Sequence, residues 1–101
     1  ENMLKWVLKI FLKKWKLGKM VKEVIRTQKF IQQVKKIDGS YIERIQNLIT
    51  KIIENPETGK PMKYDRKGIR EVYINPFRLA YSYDKSTEIL YLLEVYHKDK
   101  Q

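Results

Sequence analysis

IREVYINPFRLAYSYDKSTEILYLLEVYH, residues 69–97, holds three runs of strand character separated by two turns. Over 69–75, Val72 and Ile74 alternate with Glu71 and Tyr73, and Pro76 marks the first turn. Over 78–83, Leu79, Tyr81 and Tyr83 alternate with Arg78, Ala80 and Ser82. Asp84 to Thr87 supplies the second turn, and the longest apolar run follows over 88–97. A hydrophobic period of two is the mark of a strand with one buried face, and such short links predict an antiparallel meander. The same alternation puts Arg78 on a face with two small residues, Ala80 and Ser82, which leaves space beside the guanidinium.

Before the meander, Asn55 to Pro61 has loop chemistry, with two Pro and a Gly in seven residues. Upstream of it, Ile42, Ile45, Leu48, Ile49, Ile52 and Ile53 form a helical apolar stripe that ends ahead of Pro56. Ser40 and Glu43 have the spacing of a capping box at its start. A shorter helix is expected over 28–36, with Phe30, Ile31 and Val34 on one side, and Asp38-Gly39 breaks it. Two helices with so short a link predict a helical hairpin. Val21 to Arg26 reads as a first strand. The expected fold is therefore α+β: an N-terminal strand, a helical hairpin and a three-stranded meander, forming one sheet with the helices on one face.

Residues 1–19, ENMLKWVLKIFLKKWKLGK, differ from the rest. Lys5, Lys9, Lys13 and Lys16 share one side of a helical wheel, while Leu4, Val7, Leu8, Phe11, Leu12 and Trp15 cover the other. This predicts a cationic amphipathic helix that stops at Gly18, an extension to a domain spanning 20–101. Three roles are open to it: packing on its own domain, contact with an anionic membrane surface, or docking on a partner.

Composition narrows the function classes. In 101 residues there is room for one core, and 43% hydrophobic residues suffice to build it. Lys and Arg outnumber Asp and Glu by 22 to 12, a net charge of +10, which points to RNA, DNA or an acidic protein as partner. The alternative is a highly charged solvated surface. Without cysteine there is no disulfide or thiolate chemistry, and one His with no suitably spaced carboxylates predicts neither a metal site nor a cofactor. No apolar run is long enough to span a membrane, and a reducing cytoplasm is the expected location.

The C-terminal half resembles the RelE/ParE toxin superfamily. The features that carry the resemblance are Asn55-Pro56, Gly59-Lys60-Pro61, Lys67-Gly68, the strand Phe77-Arg78-Leu79-Ala80-Tyr81, and the terminal His97-Lys98, in that order. The resemblance implies a toxin of a type II toxin–antitoxin system, neutralised by a RelB-like, acidic antitoxin. RelE-like members cut mRNA on the ribosome without metal, using the 2′-hydroxyl as nucleophile. ParE-like members share the fold but poison DNA gyrase without catalysing a reaction. Both outcomes are implied.

The resemblance also assigns roles. Arg78 matches the catalytic Arg that holds the scissile phosphate, a task suited to a guanidinium with paired donors. The plainer reading is a strand Arg paired with Glu71 or Glu94. His97 stands where relatives place a general acid or base, or else is an ordinary strand-end His. Tyr96 and Lys98 are neighbours able to assist. Lys60, Lys63, Arg66, Lys67 and Arg70 correspond to a cluster that grips ribosomal RNA, with a solvated turn as the plainer reading. Where relatives carry two further basic residues this chain has Glu71 and Tyr73, and Met62 stands where others have Glu. The general base then falls to Glu71, Tyr73 or His97.

Overall fold

The alternation in the C-terminal half builds a five-stranded sheet in the computed structural model, which describes residues 17 and 19–100. In chain order the elements are β1 (Glu23–Arg26), α1 (Gln28–Val34), α2 (Ile42–Glu54), β2 (Lys60–Pro61), β3 (Arg70–Ile74), β4 (Phe77–Asp84) and β5 (Ile89–His97). The strands are arranged β1-β5-β4-β3-β2, with β1 parallel to β5 and every other pairing antiparallel. The expected strand, helical hairpin and meander are all present. The helix expected over 1–19 falls almost wholly outside the described residues.

One strand was not expected. Lys60 and Pro61 pair with Glu71 and Arg70 to form a two-residue edge, hidden in what reads as a loop. Proline has no N–H for a ladder, so a strand containing one belongs at a sheet edge.

Helix starts differ from the capping-box expectation. The Asp38 carboxylate, not Ser40, does the capping: Oδ1 accepts the Ser40 N–H at 2.9 Å, and Gly39–Tyr41 winds one 3-10 turn before α2 begins at Ile42. These bonds to Ser40 hold the Asp38 carboxyl below its ordinary value. An Asp ahead of the turn reaches the N–H two residues on and preempts the Ser. At α1, Thr27 Oγ1 accepts the Phe30 N–H at 3.2 Å and donates to the Leu92 carbonyl at 3.0 Å, which ties the helix start to β5. Beyond the end of β1, the Val95 N–H has no strand partner on that side and is taken by Gln33 Oε1 of α1 at 2.8 Å.

The core lies between the helices and one sheet face. Phe30, Val34, Ile42, Ile45, Ile49, Ile52 and Ile53 meet Leu79, Tyr81, Leu90, Leu92 and Val95 there, all 2% exposed or less. Tyr81 also anchors the 55–61 loop. Its hydroxyl donates to the Pro56 carbonyl at 2.7 Å and accepts the Gly59 N–H at 2.8 Å. A Cβ on Gly59 would stand 2.8 Å from that hydroxyl and 2.9 Å from the buried ring, so the position requires glycine. Arg70, opposite Tyr81 in the ladder, donates Nη1 to the carbonyls of Gly59 at 2.7 Å and Glu57 at 3.1 Å.

In β5 an extra residue enters between the pairs Ala80–Glu94 and Tyr81–Leu92, so Leu93 forms a β-bulge. The bulge reverses the alternation beyond it: Val95 joins Leu79 in the core, and Tyr96 joins Arg78 on the opposite face.

Tyr81→Phe orphans two buried backbone groups, and removing such a partner costs about 1–3 kcal/mol per group. A lowered urea midpoint with an unchanged slope is expected; an unaltered midpoint would show that the hydroxyl does not hold the loop.

Candidate functional site on the helix-free sheet face

On the face away from the helices, cross-strand register builds a row Tyr73–Arg78–Tyr96 and beside it a row Lys60–Glu71–Ala80–Glu94. Directly paired residues share a face, so these side chains belong to one surface. Arg78 is half-buried on it. Its Nη1 donates to Glu71 Oε1 at 3.1 Å, and Glu71 Oε2 accepts the Tyr96 hydroxyl at 2.7 Å. The Glu71 carboxylate is thus held by two donors, with its side chain 10% exposed against 39% for Arg78. The guanidinium gives one of its five N–H donors to Glu71.

Tyr73 is exposed, donates its hydroxyl to Asn75 Oδ1 at 2.9 Å, and carries the Lys98 ammonium 5.6 Å from its ring centre. Four of the candidates named from sequence, Glu71, Tyr73, Arg78 and Tyr96, therefore assemble on one face with Lys98 at its edge. Burial raises the Tyr96 phenol above its ordinary value, and its hydrogen bond to anionic Glu71 adds to the rise. It is held as a neutral donor.

His97 is not part of this cluster. It pairs in register with Phe77, on the helix side, and its ring stands edge-on to Phe77 at 5.8 Å. Phe77 in turn meets Tyr41 at 5.1 Å. The bulge at Leu93 is the physical cause, since without that extra residue His97 would share the face of Arg78. Its Nδ1 accepts the Asp99 N–H at 3.2 Å. Arg78 and His97, the two residues to which the resemblance assigns catalysis, stand on opposite faces, and Arg78 meets Glu71 and Tyr96.

The basic cluster divides as well. Lys60, Lys63 and Lys67 are exposed. Arg66 instead reaches Glu94 Oε2 at 3.4 Å, where Lys29 holds Oε1 at 3.0 Å. Arg70 points to the helix side, in register with Tyr81, and braces the 55–61 loop through Nη1. From sequence Glu94 is expected only as a partner for Arg78, and in the structure it anchors Arg66 instead. Its true partner depends on how the 62–69 loop folds back. Among the described residues, no group of three His, Cys, Asp or Glu side chains is placed to hold a metal ion, and no helix is long and apolar enough to cross a membrane.

Burial and nearby acidic groups also raise the phenols of Tyr81 and Tyr83, burial being the first cause in each. All three phenols bind their protons more tightly in the folded chain than in the unfolded one. Their contribution to stability is therefore present below the ordinary tyrosine value near 10 and is lost as pH climbs through the raised folded values. Denaturant midpoints should fall as pH rises through the alkaline range, and Tyr96→Phe should make that fall shallower; identical profiles would remove the coupling at Tyr96.

A protein-family model described as the ParE toxin of type II toxin–antitoxin systems, parDE, matches residues 24–101. No curated protein sequence matches the chain. Among solved structures, the fold is similar to the RelBE2 toxin–antitoxin complex of Mycobacterium tuberculosis, with a TM-score of 0.71 at 18% identity, covering 82% of this chain and 98% of that one. It is also similar to a YoeB/ParE toxin of Agrobacterium tumefaciens, with a TM-score of 0.67 at 19% identity, covering 75% and 98%. The isolated E. coli RelE toxin superposes with a TM-score of 0.66 at 12% identity, covering 77% and 85%. At such identities these likenesses speak for the fold alone, and the family match, which spans more than half the chain, carries the assignment: this chain belongs to the ParE toxin family of type II toxin–antitoxin systems.

Proposed function

We propose that this toxin is a ribosome-dependent endoribonuclease that cuts mRNA by metal-free transesterification on the helix-free sheet face. The observation that carries the reading is the Arg78–Glu71–Tyr96 relay, a cation, a carboxylate and a neutral phenol joined by hydrogen bonds on a partly exposed surface. Arg78 would hold the scissile phosphate through the donors that Glu71 leaves free and neutralise charge growing on the phosphorane. Glu71 would take the 2′-hydroxyl proton as that oxygen attacks phosphorus. Tyr96 would give its proton to the departing 5′-oxygen as the phosphorus–oxygen bond breaks. The protonated Glu71 then returns a proton to the phenolate 2.7 Å away, so the relay is restored and the products are a 2′,3′-cyclic phosphate and a 5′-hydroxyl. Tyr73 and Lys98 border the site, and His97 has no part in the chemistry. Lys60, Lys63 and Lys67 remain as the cations that meet ribosomal RNA.

The same reading places the protein in the cytoplasm with ribosome and mRNA, under control of an acidic RelB-like antitoxin complementary to the net charge of +10. The M. tuberculosis neighbour was solved as a toxin–antitoxin complex, which supports an antitoxin partner here.

A second reading is favoured by one observation: Glu71 occupies Arg78 at rest, and no second cation stands in the Tyr73–Arg78–Tyr96 row. A site so neutralised suits a non-catalytic toxin that binds DNA gyrase. An in vitro translation extract separates the two. Truncated mRNA should form with the unaltered chain, with cleavage down ~100-fold or more in Arg78→Ala and in Glu71→Gln. Intact mRNA together with arrested gyrase supercoiling would overturn the nuclease reading in favour of the second.

A further inference from the structure

The loop between β2 and β3 spends its one exposed aromatic in an unusual way. Tyr64 is 90% exposed, the most open large hydrophobic side chain among the described residues, and none of those residues makes a hydrogen bond, ion pair or ring contact with its side chain. Its backbone lies at φ 61°, the left-handed region that a bulky residue rarely adopts. Asn or Gly would hold this conformation with less strain, and neither would offer a ring.

The loop that presents Tyr64 is built, not slack. Met62 N–H reaches the Ile69 carbonyl at 2.9 Å, Lys67 N–H the Tyr64 carbonyl at 3.1 Å, and Ile69 N–H the Arg66 carbonyl at 3.1 Å. Arg66 pins it to Glu94 on the helix-free face. Gly68 takes φ 93° to close the turn. Lys63 and Lys67 flank the ring in sequence, both exposed, with Asp65 the one acidic residue between them. Tyr73, the other exposed tyrosine, is by contrast tied down by Asn75 and Lys98.

From this we infer that Tyr64 is a nucleobase-stacking site: an unpaired base of an RNA strand lies on its ring, while the adjoining phosphates meet Lys63 and Lys67. Every base has a π-face, so such a platform recognises single-stranded RNA without choosing sequence, and cations beside it follow the backbone. A free aromatic face held out by an anchored, lysine-flanked loop has no role in the core. The inference rests on RNA as the ligand, as the nuclease reading does, but not on the cleavage step.

The test uses the full chain and a short 2′-O-methyl oligoadenylate, which lacks the attacking hydroxyl and cannot be cut, with inorganic polyphosphate as a polyanion that has no bases. Tyr64→Asn keeps the left-handed backbone and removes the ring. It should bind the oligonucleotide about tenfold more weakly, bind polyphosphate as before, and melt no lower than the unaltered chain. Tyr64→Phe should bind both as the unaltered chain does. Equal losses on both ligands, no loss on the oligonucleotide, or no binding of it by the unaltered chain would each overturn the inference. Because binding is read without cleavage, an inactive nuclease that still shows the Tyr64 effect separates the failure of one reading from the failure of the other.

Discussion

Strand β4 has a neighbour along both edges, and from that position its alternation governs the rest of the domain. Leu79 and Tyr81 are carried into the apolar layer under α2, so Arg78 and Ala80 must emerge on the other side. A one-residue slip would send Arg78 into the core, where a guanidinium without partners is prohibitively costly, and would expose Tyr81. The register is therefore secured by both faces at once. On the buried side the Tyr81 hydroxyl bonds two backbone groups of the 55–61 loop; on the open side Arg78 meets Glu71.

The open face is organised by carboxylates as much as by cations. Glu71 takes one donor from Arg78 and one from Tyr96, and Glu94 takes Lys29 and Arg66. Both carboxylates stand in the row that also contains Ala80, so the small residue lies between two paired acids and is itself fully covered. In a chain of net charge +10, these pairs fix three of the cations, Arg78, Lys29 and Arg66, to the sheet and leave the lysines of the edge and loop exposed to a polyanion. Ion pairs this close to solvent add little to stability, and their main consequence is to orient the guanidinium and the phenol.

Much of the fold was legible in the residues. The isoleucine stripe of α2, the turn chemistry around Pro76 and 84–87, and the clean alternation of β4 each point to one local structure, and each was realised. The apolar run of β5 was harder to read: Leu92-Leu93 interrupts a period of two in a segment so apolar that the interruption leaves no mark in polarity. That doublet is the bulge, and the one sequence signal that would have moved His97 to the helix side. The short β2 was hidden by its proline, and Asp38 displaced Ser40 as cap because an aspartate two residues before an N–H closes the tighter turn.

The linear chain by itself determined the strands and helices, the face on which Arg78 emerges, and the excess of positive charge, because these depend on local periodicity and composition. Tertiary structure alone decided which partner each charged group takes. Arg78 is bound to Glu71 rather than Glu94, Arg66 is spent on Glu94, Arg70 braces a loop, and His97 turns from the site. Partners across strands are set by register, which the sequence of either strand taken alone does not contain, and by a single inserted residue that the Leu92-Leu93 doublet marks without any break in polarity.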